Sequence, residues 1–277
     1  MNREGKLFNV ISYIYLTIAV LLVVTPLYLL LVVSFKPLED SVRNFFAPPT
    51  SLYLENFKVV LSGDLYLNSV MNSVFVTVIP LAAIILIVPM CAFTIARNMH
   101  KTFYKWMYRY FISSIFVPFA VIMIPTVILC SKLNIMNVPG LIIVYIAFSI
   151  NQALFLFVGH IRNIPRELDE SAHIDGCSVP RLYFSIILPL CKPMIATVAV
   201  INSLWYWNDF LLPVVLLNKS QRYFTLALYQ YMFNDPQNYQ FNLAFASYFL
   251  GMIPLVVLYL SAQKYVVKGL TAGAIKG

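Results

Sequence analysis

Long runs without a charged side chain alternate with short polar connections. Residues 7–35 form the first run, bracketed by Lys6 and Lys36; 65–96 follow, closed by Arg97. Residues 110–130 lie between Arg109 and Lys132, and 133–159 form a fourth run. Residues 193–217 carry one acid, Asp209, and 242–263 carry no charge. A membrane-crossing helix needs about 20 apolar residues at ~1.5 Å rise each. The pattern therefore predicts an all-α polytopic membrane protein, a single unit over 1–277, with spans at 8–34, 67–96, 108–131, 139–160, 193–217 and 242–263. The first run is too long for a signal-peptide core and no small-x-small cleavage pattern follows it, so an uncleaved helix is expected. The fourth span should begin near Pro139, because Asn-Val-Pro-Gly is turn chemistry. Pro26, Pro80, Pro89, Pro118, Pro125, Pro213 and Pro254 fall inside spans. Such breaks are tolerated where neighbouring helices satisfy the freed carbonyls; each reads as a packing kink or as a hinge.

Composition agrees: 61% of residues are hydrophobic and 11% charged, against about 25% charged in soluble domains. Where the +8 excess lies sets the orientation. With both termini on one side, that side holds Arg3, Lys6, Arg97, Lys101, Lys105, Arg109, Arg162, Arg166, Arg181, Lys192, Lys264, Lys268 and Lys276. The opposite side holds Lys36, Arg43, Lys58, Lys132, Lys219 and Arg222. Basic connections stay in the cytoplasm, so both termini, the loop 161–192 and the tail 264–277 are expected there. The outer connection 218–241 gathers Tyr223, Phe224, Tyr229, Tyr231, Phe233, Tyr239 and Phe241, as interfacial aromatics or as a docking surface.

Covalent catalysis finds no support. No Gly-x-x-x-x-Gly-Lys-[Ser/Thr] phosphate loop, Gly-x-Ser-x-Gly elbow or His-Glu-x-x-His occurs. His100, His160 and His173 are not at metal-ligand spacing and read as solvated surface residues. Cys91, Cys130, Cys177 and Cys191 form neither a disulfide framework nor a Cys-x-x-Cys. No cofactor or metal is expected on this chain. The polar groups within the spans stand out instead. Asp209 lies seventeen residues beyond Lys192, roughly 25 Å along a helix, where a charge costs about 2.5–3.5 kcal/mol. It should face protein or water. Asn72, Asn151, Asn202 and Asn208 are further candidates for a translocation path, with interhelical hydrogen bonding as the alternative.

The cytoplasmic loop has its own local code. Asn163 can cap a helix, Pro165 suits its first turn, and Glu167, Asp169 and Glu170 suit its positive end. Gly176 stands where a left-handed residue would end it, and Ser178 with Pro180 can start another segment. The expected short helix of about ten residues carries Ser171 and Ala172 as a small-residue face. Glu170-Ser171-Ala172, Asp175-Gly176, Tyr183, Ile186 and Leu188-Pro189 resemble the Glu-Ala-Ala loop of bacterial ABC-importer permeases. Trp207-Asn208-Asp209-Phe210 and the ending Lys268–Gly277 resemble the carbohydrate branch, the MalG-type permeases of maltose and multiple-sugar importers. Ser171 replaces the first Ala, Cys177 the usual Ala after Gly, and Tyr183 a common Phe.

The resemblance implies a non-catalytic permease subunit of a sugar importer in a bacterial plasma membrane. Glu170, Ser171, Ala172, Asp175, Gly176 and Cys177 would couple it to a cytoplasmic ATPase, which the tail also touches in the maltose-type family. Implied partners are a second permease, two ATPase subunits that bind ATP and Mg, and an extracytoplasmic sugar-binding protein. A permease for another solute class, or an ion-coupled secondary transporter using Asp209, is the alternative.

Overall fold

The computed structural model describes residues 3–234 and 239–274, and among these the regular structure is helical. The side chains of 264–277 lie outside the described residues, and with them the tail contact expected there. Four described helices are each long and apolar enough to cross a membrane: Ile11–Ser34, Asp64–Arg97, Val138–Arg162 and Phe241–Ser261. Two bent helix pairs bring the number to six if each pair is counted as one span.

Those two pairs are where the chain departs from six continuous spans. The span expected over 108–131 is two helices, Thr102–Ser113 and Phe119–Lys132, joined through a 3-10 turn and bent by 101°. Pro118 is the cause. It disfavours the helical region for the residue before it, and Val117 is extended at φ −80°, ψ 117°. The other pair is Val179–Leu190 and Lys192–Asn208, bent by 67° at Cys191, so the helix that carries the span expected over 193–217 is the second member of that pair. That span is also interrupted further on. Helix Lys192–Asn208 ends at Asp209, extended at φ −67°, ψ 129°, and Leu211–Leu216 resumes with Pro213 in its first turn, where a missing N–H costs little. Pro26, Pro80, Pro89, Pro125 and Pro254 sit inside continuous helices. The fourth span starts at Val138, one residue before Pro139, with the Asn137 side chain accepting the Gly140 N–H at 2.9 Å.

The chain divides into two compact units. One comprises residues 1–67 and 229–253. In it Asn56, 1% exposed, donates from Nδ2 to Ser34 O and Lys36 O at 2.9 and 2.7 Å, and its Oδ1 accepts from Asn242 at 2.6 Å. Lys36 is fully buried, with its ammonium donating to the carbonyls of Asn44 and Ala47. Lys36 thus ties the chain after Leu38–Arg43 back to the end of the first long helix, and Asn56 holds that same end from the other side in sequence.

The other unit comprises 68–228 and 254–277. One of its core clusters is built on Ile84, Val88, Ala92, Phe157, Val158, Ile161, Cys191 and Val198, and the same cluster contains Ile164, Ala172, Leu182, Tyr183 and Ile187 from the polar loop. The loop is therefore packed into the core of the spans. Tyr183–Ile187 forms one π-helical turn, in which Leu188 N–H reaches back to Tyr183 O just before Pro189. A proline in the following turn cannot donate to the carbonyl behind it, and a widened turn accommodates this.

Candidate functional site

The loop helix runs Glu167–Ile174. Its N-terminus differs from expectation. Asn163 is the C-terminal cap of Val138–Arg162, its N–H donating to His160 O, and Arg166 begins the loop helix without a side-chain cap. Glu167, Asp169 and Glu170 occupy the first turn, where the helix dipole favours them. The C-terminus carries the expected glycine. Gly176 has φ +72°, Gly176 N–H donates to His173 O at 3.0 Å, and Cys177 N–H to Ala172 O at 2.9 Å. These two bonds make a Schellman motif. An added Cβ at Gly176 would meet nothing within 4 Å, so the backbone conformation, and not crowding within the chain, calls for glycine.

The candidate coupling residues do not share one face. Glu170, Ser171, Asp175 and Gly176 are exposed, Cys177 is half-buried, and Ala172 is only 5% exposed. Ala172 thus lines the chain's own core, where its single methyl lets the loop helix close on the span ends. It is not free to shape contact with a partner. The exposed apolar tip is Ile174, 86% exposed, with Leu168 beside it at 40%; the sequence reading missed both because neither is a small residue.

A side chain counted in the sequence only as a basic charge holds this loop. Arg97, at the end of Asp64–Arg97, meets Asp169 through Nε–Oδ2 at 2.6 Å and Nη2–Oδ1 at 3.0 Å. Its Nη1 donates to Ile164 O at 3.0 Å and to Ile161 O at 3.4 Å. One guanidinium thus ties the end of one span, the last carbonyls of another and the first turn of the loop helix. A planar fork with five donors suits this role, and a lysine could not reproduce it. His160 adds a second tie. Its Nε2 lies 3.1 Å from Leu190 O, and a carbonyl can only accept, so Nε2 carries the proton. This ring is tethered to the segment after the loop, unlike the solvated surface histidine expected. Within the same core, burial pushes the Cys191 thiol up to about 11, against a lowering by Arg97.

The polar groups of the spans are mostly occupied. Asp209 Oδ2 accepts from the Tyr145 hydroxyl at 2.9 Å, and its Oδ1 accepts from Leu211 N–H at 3.1 Å. Tyr145 is fully buried and stacks on Tyr206 at 4.9 Å and 20°; the Tyr206 hydroxyl donates to Ser149 at 2.6 Å. Asn72 donates to Arg222 O and Phe224 O at 2.8 and 3.0 Å and so anchors an outer connection. Asn202 is 1% exposed and donates to Val198 O, while its Oδ1 has no hydrogen-bond partner among the described residues. Asn208 is exposed and donates to Leu204 O; Asn151 is half-buried. Asp209 and Asn72 act as ties between segments. No group of three or more His, Cys, Asp or Glu side chains among the described residues could hold a metal ion.

Residues 89–272 match the family described as binding-protein-dependent transport system inner membrane component. The chain is 41% identical, over the whole length of both proteins, to the multiple sugar-binding transport system permease protein MsmG of Streptococcus mutans. It is 35% identical to the probable starch degradation products transport system permease protein AmyC of Thermoanaerobacterium thermosulfurigenes, over 92% of this chain and 93% of that one. In fold it is similar to a chain in the crystal structure of a bacterial ABC transporter involved in the import of the acidic polysaccharide alginate. That likeness has a TM-score of 0.80 at 18% identity, and covers 96% of this chain and 99% of that one.

Proposed function

From the premise that the chain belongs to the binding-protein-dependent transport system inner membrane component family, we propose that it is a pore-forming subunit that couples a cytoplasmic ATPase to uptake of a sugar or oligosaccharide. The observation that carries the coupling role is the loop helix Glu167–Ile174. It is exposed at its tip, stopped by Gly176, and joined by Arg97 to the ends of two spans. A push on Ile174 and its neighbours would reach Asp64–Arg97 and Val138–Arg162 without first deforming a flexible linker. The chain carries no phosphate-cradling motif, so the ATP and Mg belong to the partner ATPases in this reading.

Carbohydrate as cargo is supported by the relatives, a multiple-sugar and a probable starch-product permease. The chain works beside a second permease, two ATPase subunits and an external binding protein. The distribution of its basic connections supports a cytoplasmic position for both termini and the coupling loop in a bacterial cell. An ion-coupled mechanism through Asp209 is less consistent with the geometry, since that carboxylate is committed to Tyr145 and to the start of Leu211–Leu216.

The test is reconstitution of the complete complex with saccharide-loaded binding proteins. ATPase activity should rise with at least one saccharide and fall to the unstimulated rate when Gly176→Pro is present. Saccharide-independent activity in both proteins would reject the coupling role. Stimulation by an amino-acid-loaded binding protein alone would reject the cargo.

A further inference from the structure

The bend at Val117–Pro118 leaves helix Thr102–Ser113 with an exposed surface turned away from the core cluster it packs on. One sector, Tyr104, Met107, Tyr108 and Phe111, packs on the core cluster, at the spacing of a single helix face. A second sector, Phe103, Trp106 and Tyr110, is exposed by 70%, 63% and 75%. The third is cationic: Lys105 and Arg109 are exposed one turn apart, and Lys101 stands at the N-terminal cap. The Arg109 guanidinium lies 5.2 Å from the Trp106 ring centroid, linking cation and ring.

We propose that this helix lies in the plane of the membrane interface and holds the headgroup of an anionic phospholipid on Lys101, Lys105 and Arg109. Spans tilt on average about 20° from the membrane normal. A helix turned 101° from Phe119–Lys132 therefore runs close to the membrane plane. Aromatic rings at the headgroup level with cations above them are the composition of an interfacial helix. Charge favours an anionic surface, because the sequence holds no Asp or Glu between Asp64 and Glu167. Each cation near an anionic leaflet strengthens binding roughly fivefold. The inference rests on the chain spanning a membrane and is independent of cargo.

Site-directed spin labelling of the assembled complex tests the geometry. Single cysteines replace Phe103, Trp106 and Tyr110 in a background without the four native cysteines. The expected result is one shallow depth at all three positions. A depth that increases steadily from 103 to 110 would mean a span and overturn the proposal. Low access to both oxygen and a water-soluble relaxant would mean a covering protein and overturn it too. If one labelled variant fails to assemble, the other two still define the slope. The lipid chemistry is tested with spin-labelled phosphatidylglycerol against phosphatidylcholine. Selectivity should fall at least twofold in the triple variant Lys101→Gln, Lys105→Gln, Arg109→Gln; unchanged selectivity would overturn the headgroup site.

Discussion

Arg97 and Asp169 lie 72 positions apart in sequence and meet through two contacts, at 2.6 and 3.0 Å, with side chains 11% and 17% exposed. The same guanidinium also satisfies carbonyls at the end of Val138–Arg162. The two partners are therefore unequal. Removing Asp169 leaves Arg97 its carbonyl acceptors, whereas removing Arg97 strands a carboxylate and two carbonyls together. Hydrogen bonds to charged groups contribute about 1.5–3 kcal/mol each. Arg97→Gln should lower the melting temperature of the purified complex and its substrate-stimulated ATPase more than Asp169→Asn does. Arg97→Lys should resemble Arg97→Gln, because an ammonium cannot fork. Full activity in Arg97→Lys would show that charge alone suffices.

Gly176 separates conformation from contact. A non-glycine residue in the left-handed region costs roughly 1–2 kcal/mol, and asparagine visits it more readily than alanine. Gly176 is exposed and an added Cβ meets nothing within 4 Å, so a methyl does not collide within the chain. Gly176→Ala should weaken ATPase stimulation and Gly176→Asn should weaken it less, with membrane insertion intact in both. Gly176→Arg adds bulk toward any docked partner and should abolish stimulation. If Gly176→Arg matched Gly176→Asn in uptake, the loop end would not be a docking surface.

Much of this architecture is legible along the chain, and what is hidden has a common cause. The uncharged runs mark the spans because a bilayer penalises charge wherever it occurs, and Gly176 is legible because a helix stop is a local event. Pro118 breaks its helix while Pro80, Pro89 and Pro125 do not, and nothing in the identity of the residue tells them apart. Tertiary packing decides which freed carbonyls find partners. Ala172 could be read as small, but the direction it faces depends on Ile161, Ile164 and Leu182, which the fold brings to it. Tyr145 as the partner of Asp209 is hidden for the same reason. The fold pairs residues distant in sequence, and no local spacing records such a pair.

The Tyr145 bond distinguishes two roles for Asp209. An asparagine can still accept the Leu211 N–H through its oxygen and offer its amide to the Tyr145 oxygen, so the helix break survives. Asp209→Asn should therefore retain most uptake, and Asp209→Ala should lose both bonds and lower uptake more than assembly. Tyr145→Phe leaves a carboxylate oxygen without its hydroxyl donor and should cost about 1–3 kcal/mol in unfolding of the complex. Were Asp209 a proton- or ion-coupling acid, Asp209→Asn would be as damaging as Asp209→Ala, and uptake would follow an ion gradient.

Two cysteines flank the loop in opposite environments. Cys177 is half-buried just after Gly176, and Cys191 is fully buried with its thiol pushed up to about 11 by desolvation. The thiolate is the reacting form, and a raised value means less thiolate at any pH below it. A membrane-impermeant maleimide should therefore label Cys177 first in inside-out vesicles, with Cys191 unlabelled at pH 7 and slow even at pH 9. If the loop enters a groove on the ATPase, assembly with that subunit should slow Cys177 labelling at least several-fold, and Cys177→Ser should abolish the protected signal. Equal labelling with and without the ATPase would place the docking surface elsewhere. Labelling from right-side-out vesicles alone would invert the orientation drawn from the basic connections.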